Sequence, residues 1–476
     1  MTSKFVKKGM GIAIASVMAG GMLANTAVAD TPSSEPQQPN VVLIFVDDIG
    51  YADMGFQKIR DDVITPHMDK IAHDGAIFSA GYVTGSVCGP SRAGLLTGRY
   101  QQRFGYHDNI GPRISEKGIE QGLDLSIKTF GNYFQDAGYV TGYIGKSHDG
   151  DDKKYWPHNR GFTEFYGFNN GAADYFVSGH NVENSEEKAF SSLHRNDEVI
   201  ENFDGYLTDI FGDESVSFIE RHKDNPFFLY VPFNASHGPM HAKEEDLKKF
   251  AHIKDPLRQK SLAMTHNMDI NVGKIVDKLE QHDLMDNTMI VFLSDNGGKP
   301  KNNGSMNTPL RAIKGTTWEG GIRIPFAISY RGHIPANQVI DEPVISLDIL
   351  PTTLAIAGIE PKKDWQLEGV NLMPRLTGEV DKLEPRFLYW LTAARSAIRD
   401  DDWKLVVPNV HVKRPRYELY KISEDISESN DLAKTYPEQV ERLKQEFERW
   451  DSENEASRWG WNKDRYPYTN GWRGRD

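Results

Sequence analysis

The sequence predicts an α/β fold: a large central, mostly parallel sheet sandwiched by helices, with a smaller antiparallel sheet and a helix at the C-terminal end. Three observations lead there. Val41–Val46, Phe227–Phe233 and Met289–Leu293 are continuous apolar runs, as expected of strands buried on both faces. Residues 261 to 282 carry Leu262, Met268, Ile275, Val276 and Leu279 at helical spacing, so strands and helices alternate. After about residue 375 the pattern changes to short strands joined by turns.

Taken in order, the chain opens with Lys4, Lys7 and Lys8, an apolar stretch from Met10 to Leu23, and Ala27-Val28-Ala29 before Asp30. A basic start, an apolar middle and small residues at the end predict a signal peptide over 1–29, cleaved near Ala29, and an exported protein, periplasmic or secreted. The apolar run is broken by Gly20 and Gly21 and is shorter than the ~20 residues a span needs, which favours a cleaved leader over an anchor, and no later stretch is long and apolar enough to span, so no membrane span is expected in the mature chain. Residues 30–39, rich in Pro, Ser and Gln, read as a linker. Residues 40–375 form the expected catalytic domain and 376–476 a smaller subdomain, in which Arg386–Leu391, Ser396–Arg399, Trp403–Val407 and Tyr417–Tyr420 read as strands and Glu438–Trp450 as an amphipathic helix.

The formal charge is −13, and losing a leader with three lysines and no acids takes it to −16. Such acidity argues against a nucleic-acid partner, which needs a basic face to displace counterions. It does not exclude an anionic substrate, because a local cationic pocket can be built within an acidic surface. The single cysteine, Cys88, cannot form an internal disulfide, so stability has to come from the size of the core.

In open α/β sheets ligands gather outside the carboxyl ends of the strands. Asp47 and Asp48 follow the first apolar run, and Asp295 and Asn296 follow the third, giving hard oxygen donors of the kind calcium prefers. Lys146 and His148 lie in Gly145-Lys146-Ser147-His148, His237 lies just past the second run, and Lys314 precedes Trp318-Glu319-Gly320-Gly321. Cys88 begins Cys88-Gly89-Pro90-Ser91-Arg92, followed by Leu96-Thr97-Gly98-Arg99.

The cysteine, proline and arginine of that motif, with its Leu-Thr-Gly-Arg tail, resemble the signature of the type I, formylglycine-dependent sulfatases of the alkaline phosphatase superfamily. Similarity extends through Ser346–Thr352, Glu368–Leu372, Tyr417–Tyr420 and Asn430–Ala433, nearly the whole mature chain. The resemblance implies an alkaline phosphatase-like fold, one bound Ca2+, and conversion of Cys88 to 3-oxoalanine (formylglycine) by a formylglycine-generating maturation enzyme before folding. It implies metal ligation by Asp47, Asp48, Asp295, Asn296 and the modified Cys88. One hydroxyl of the hydrated aldehyde would attack sulfur while Arg92 holds the hydrate and His148 removes the proton of the other. Lys146 and Lys314 would neutralise the sulfuryl oxygens, and His237, helped by Lys314, would protonate the leaving oxygen. Ser147 stands where many relatives have a large aromatic, which the resemblance reads as a change of pocket shape.

The substrate this implies is a sulfated polysaccharide or oligosaccharide, of algal carrageenan or ulvan type. Tyr155-Trp156 and the aromatic tail from Trp459 to Trp472 are candidates to line a sugar groove, although for the tail the preferred reading is that it packs on the domain. Two other functions are weighed. One is a phosphate-ester or phosphonate hydrolase of the same superfamily, which Cys88, Pro90 and Arg92 oppose. The other is a sulfated-glycan binding protein with an unmodified cysteine.

Overall fold

Along Asn40–Val46 every residue is buried, and the side chains alternate between two separate cores. Val42, Ile44 and Val46 enter one core, and Val41, Leu43 and Phe45 the other. A strand with no polar face belongs in the middle of a sheet covered on both sides, and that is its position in the computed structural model, which describes residues 38–110, 120–150, 152–176, 192–200, 202–412 and 414–459. The expected signal peptide, most of the linker and the tail beyond Trp459 lie outside the described residues.

In chain order the strands are β1 (Asn40–Val46), β2 (Ala76–Phe78), β3 (Gly81–Tyr82), β4 (Val140–Lys146), β5 (Glu164–Phe168), β6 (Leu193–Arg195), β7 (Glu198–Ile200), β8 (Phe227–Pro232), β9 (Thr288–Ser294), β10 (Phe326–Tyr330), β11 (Gln338–Ile340), β12 (Val344–Ile345), β13 (Phe387–Leu391), β14 (Ser396–Asp400), β15 (Trp403–Val407) and β16 (Glu418–Lys421). The helices are α1 (Pro66–His73), α2 (Cys88–Thr97), α3 (Phe130–Asp136), α4 (Leu207–His222), α5 (Glu244–Lys249), α6 (Pro256–Gln281), α7 (Pro300–Asn303), α8 (Glu319–Ile322), α9 (Ile349–Ile356), α10 (Met373–Leu376) and α11 (Pro437–Asp451).

The main sheet has ten strands in the order β11-β2-β10-β9-β1-β8-β4-β5-β6-β7. Its centre, β9-β1-β8-β4-β5, is parallel, while β10 runs antiparallel to β9 and to β2, and β6 antiparallel to β5 and to β7. Helices α1, α4 and α6 cover one face through Met68, Phe211, Phe218, Met264 and Met268. Helices α2, α3 and α9 cover the other through Leu95, Phe130, Phe134, Leu350 and Leu354. Helix α6 starts five residues before the apolar periodicity does, because Pro256 at its first position has no N–H to lose and Asp255 Oδ1 accepts from Leu257 N at 2.9 Å.

Strands β13 to β16 form the small antiparallel sheet. Leu443, Phe447 and Trp450 of α11 close it, and the same core takes in Tyr82, Ile322 and Ile345 from the larger part of the chain. This joint carries the loop from 307 to 319 to the rim of the candidate site.

Candidate active site

The parallel pairing of β1 with β9 sets Val46 opposite Ser294, so the two acidic pairs that follow leave the sheet side by side. Asp295 N donates to Val46 O at 2.8 Å, Asp48 N to Asp295 Oδ1 at 3.1 Å, and Asn296 Nδ2 to Asp48 Oδ1 at 2.7 Å. Cys88, the first residue of α2, brings its Sγ to 3.4 Å from Asp47 Oδ1. One ligand atom from each of Asp47, Asp48, Cys88 and Asp295 lies within 4.8 Å of all the others. Asp48 reaches this position with φ at 59°, a strained backbone for a residue with a side chain. Its carbonyl is held there by Ser305 Oγ at 2.6 Å and Asn303 Nδ2 at 3.1 Å.

Three cations face the three carboxylates. Arg92, one turn along α2 from Cys88, is fully buried and donates to Asp295 Oδ2 at 3.0 Å and to the Lys146 carbonyl at 3.1 Å. Lys146, at the end of β4, donates to Asp47 Oδ2. Lys314 bridges Asp48 Oδ1 at 2.5 Å and Cys88 Sγ at 2.9 Å. Burial opposes charge on Asp47, but Lys146, His237, Arg92 and Lys314 outweigh it and hold the carboxyl well below the usual range. Burial and the neighbouring Asp47 charge push Asp295 up despite Arg92. Burial, then Asp295 and Asp47, also push up the Cys88 thiol. Burial would discharge Lys314, yet Asp48 and the groups beside it keep its ammonium charged.

The two histidines approach from different strands. His148 follows β4 with φ at 64°, and its Nε2 lies 3.2 Å from the Ile110 carbonyl. A carbonyl only accepts, so Nε2 carries the proton and the buried, unpartnered Nδ1 is left as a base. Burial, with Lys146 and Arg92, lowers its pKa well below the ordinary histidine value and keeps the ring neutral. Tyr106 fixes the His148 carbonyl at 3.0 Å, and a Cβ on Gly171 would come within 3.0 Å of the ring, so a larger residue there would press on it. His237 is the most open member, 26% exposed, with Nε2 at 3.9 Å from Asp48 Oδ2 and Nδ1 at 2.8 Å from the Gly238 carbonyl. Tyr175 holds this loop through the carbonyls of Asn234 and His237 at 2.7 and 2.9 Å.

All ten residues singled out in the sequence therefore meet at the carboxyl ends of β1, β4, β8 and β9 or at the adjoining start of α2 and the 307–319 loop. The lysines expected on sulfuryl oxygens are here paired with Asp47 and Asp48. Ser147 is fully buried, with its hydroxyl on Asp149 Oδ2 at 3.0 Å. Tyr155, Trp156 and Trp459 are buried too, and Trp459 packs on Tyr106 with ring centroids 4.7 Å apart, so among the described residues these three are largely packed inside the protein. Tyr466, Tyr468 and the rest of the tail lie outside the described residues. Sequence reading missed Asn303, Ser305, Tyr106, Tyr175 and Asn109, whose Oδ1 receives Gly89 N at 2.8 Å. Each is a polar or tyrosine residue in a loop or, for Asn303, at the end of the short helix α7, and nothing local distinguishes it from its neighbours.

The donor set suits a hard dication. Asn296 Oδ1 is buried with no hydrogen-bond partner beside three carboxylates, and all these atoms are oxygen. The soft thiol of Cys88 is the one donor that does not match.

The Sulfatase family profile matches residues 39–359, well over half of the chain. The chain belongs to the sulfatase family. It is a sulfuric ester hydrolase of alkaline phosphatase-like fold. A second profile, that of the N-sulphoglucosamine sulphohydrolase C-terminal region, matches residues 314–453 of this sulfatase. N-acetylgalactosamine-6-sulfatase of Homo sapiens is 32% identical over 363 residues, covering 72% of this sulfatase and 67% of the human protein. The Mus musculus enzyme of the same name is 30% identical over 392 residues, covering 77% and 72%. Among solved structures, the crystal structure of Ps i-CgsB in complex with k-i-k-neocarrahexaose is 35% identical with a TM-score of 0.81, covering 89% of this sulfatase and 95% of that chain.

Proposed function

We propose that this sulfatase hydrolyses sulfate esters of a sulfated carbohydrate, an algal-type polysaccharide or oligosaccharide, using a formylglycine made from Cys88 and one calcium ion. The observation that carries this reading is the position of the Cys88 sulfur, between Asp47 Oδ1 at 3.4 Å and Lys314 Nζ at 2.9 Å, in a set of otherwise hard oxygen donors. An oxygen-bearing side chain derived from the cysteine makes that set uniform. The similarity to Ps i-CgsB, solved with a neocarrahexaose, supports the carbohydrate class.

Asp47, Asp48, Asp295 and Asn296, with the modified residue 88, would hold the ion. Calcium there supplies Lewis-acid polarisation of a sulfuryl oxygen, and the hydrated formylglycine supplies the attacking hydroxyl. The remaining work belongs to the chain. The charges of Arg92, Lys146 and Lys314 balance those of Asp47, Asp48 and Asp295, so the dication leaves the pocket positive and fit for an anionic ester. Arg92, locked by its carboxylate and carbonyl partners, orients residue 88. Nδ1 of His148 takes a proton from it. His237, on the open side, with its Nδ1–H on the Gly238 carbonyl, would deliver a proton from Nε2 of its doubly protonated ring to the departing sugar oxygen, helped by Lys314. A maturation enzyme and export, after cleavage near Ala29, complete the reading. No described helix is long and apolar enough to cross a membrane.

The test is peptide mass spectrometry across Cys88, on protein made with a formylglycine-generating enzyme, together with sulfate release from a panel of sulfated glycans. An aldehyde-mass peptide with glycan desulfation is expected. Phosphate release without sulfate release, or a cysteine that stays unmodified beside a competent maturase, would falsify the reading.

A further inference from the structure

The tip of the hairpin between β13 and β14 places an arginine at the rim of the site that the reactions described so far do not use. Thr392 Oγ1 accepts from Ala394 N at 3.2 Å and from Arg395 N at 2.9 Å, and Val410 N donates to the Ala394 carbonyl at 2.9 Å, so the tip is fixed. From it Arg395 NH1 reaches the Gly315 carbonyl at 3.0 Å. Gly315 adjoins Lys314, whose Nζ touches the Cys88 sulfur. Its N donates to Ser86 O at 2.7 Å, and a Cβ on it would lie 4.0 Å from Val87 Cγ1. The guanidinium thus holds the carbonyl of the residue that follows Lys314, and the N–H of that same residue holds the segment just before Cys88.

Its partners are what set it apart. Arg92, buried in the same site, is held by two carboxylates. Among the described residues no carboxylate lies within ion-pair distance of half-buried Arg395, and its Nε is buried with no partner. A guanidinium has five N–H donors in a planar fork matched to sulfate and carboxylate. A single carbonyl contact leaves most of them unused, in a chain whose formal charge is −13.

We infer that Arg395 binds a second anionic group on the substrate, a sulfate ester or a carboxylate, next to the sulfate being hydrolysed. This rests on the carbohydrate reading above, since an aryl sulfate carries no second anion. The substrate class it selects is a saccharide with two negative charges within reach of one pocket.

The experiment compares the matured protein with Arg395→Gln and Arg395→Lys on four substrates: an aryl sulfate, a monosulfated disaccharide, the same disaccharide with a second sulfate, and a monosulfated disaccharide bearing a uronate. The expected result for Arg395→Gln is a fall of about tenfold or more in the kcat/KM ratio of a dianionic over the monoanionic saccharide, carried by KM. Arg395→Lys recovers part of it. Whichever dianionic substrate loses its advantage identifies the anion. An equal fall on all four substrates would make Arg395 only a clamp on the 315 carbonyl, and an unmoved ratio with both dianionic saccharides cleaved would also overturn the assignment. If Arg395→Gln does not fold, the unaltered protein decides: KM for the dianionic substrate should rise more steeply with ionic strength than KM for the monoanionic one, and equal slopes would sink the idea. Cleavage of the aryl sulfate with no turnover of any saccharide would refute the carbohydrate reading itself, an outcome separate from an unmoved ratio.

Discussion

Two buried clusters of charge lie on either side of the 307–319 loop, and they are built to opposite ends. Beneath the small sheet, Glu319 accepts from Lys404 at 2.7 Å, Arg323 at 3.1 Å and Tyr82 OH at 2.6 Å, and Lys404 also pairs with Glu428 at 2.9 Å. Both carboxylate oxygens of Glu319 have donors from the protein, so Glu319 is satisfied as the chain folds, and Glu428 Oε1, which accepts no hydrogen bond, keeps Lys404 as its ion-pair partner. At the strand ends, by contrast, Asp47, Asp48 and Asp295 crowd within 4.8 Å beside the unpartnered Asn296 Oδ1, and the lysines touching them are the groups a substrate would need. A buried polar network is worth most when every member is satisfied. One whose members are left over is arranged for something the chain does not itself supply.

The largest test of that contrast is Cys88→Ala. It removes no charge partner from either cluster, so sulfate release from an aryl sulfate should fall on the order of ten-thousand-fold or more while the melting temperature hardly moves. A large loss of stability would mean that the cysteine is there for packing. Lys404→Met should do the reverse. By leaving Glu428 buried without its cation and Glu319 with Arg323 alone, it should cost about 3–5 kcal/mol in a urea titration, and the double variant Glu319→Gln/Lys404→Met should recover part of this. Equal stability of Lys404→Met and the unaltered protein would remove the distinction between the clusters.

Smaller effects sharpen it. Chelation should abolish turnover and added calcium restore it, and Asn296→Ala should raise the calcium needed by about 10- to 100-fold. Activity indifferent to chelator after exhaustive dialysis would argue for a metal-free site. The smallest effect is in the pH dependence of stability. Burial disfavours charge on Glu319, but Lys404, Arg323 and Arg399 more than offset it and hold its pKa below the ordinary 4.5. A depressed carboxyl contributes stability that is present above 4.5 and lost as pH falls through the lower folded-state value. The stability gap between the protein and Glu319→Gln should therefore narrow as pH is lowered from 4.5 towards about 2. A gap that widens on acidification would contradict this assignment.

The same contrast explains what could be read in the chain beforehand. Asp47 and Asp295 were legible because each closes an unbroken apolar run, and such runs locate the carboxyl ends of central strands. The helix near 261–282 was legible from its periodicity, but its start at Pro256 needed the Asp255 cap. The outer strands β2, β6, β7 and β11 were not legible, since runs of three residues have no periodicity to detect. Nor were Ser305 and Asn303, because the backbone strain they offset at Asp48 exists only once residues some 250 positions apart have met. Glu319, next to Trp318 and Gly320, and Asp348, which Arg386 grips, both serve the joint with the small sheet and stand apart from the acids around Cys88.

The burial of Cys88 also sets a clock. Only 2% of the residue is exposed, so any enzyme that acts on its sulfur has to meet the segment before the pocket closes around it. Lys314, which covers that sulfur, lies 226 positions further along the chain. At a synthesis rate of about 5–20 residues per second, the ribosome needs roughly 11–45 s to supply it. A slower ribosome would lengthen that interval and a fast-folding N-terminal segment would shorten it, so under the proposed maturation of Cys88 the yield of modified protein would depend on translation speed as well as on sequence.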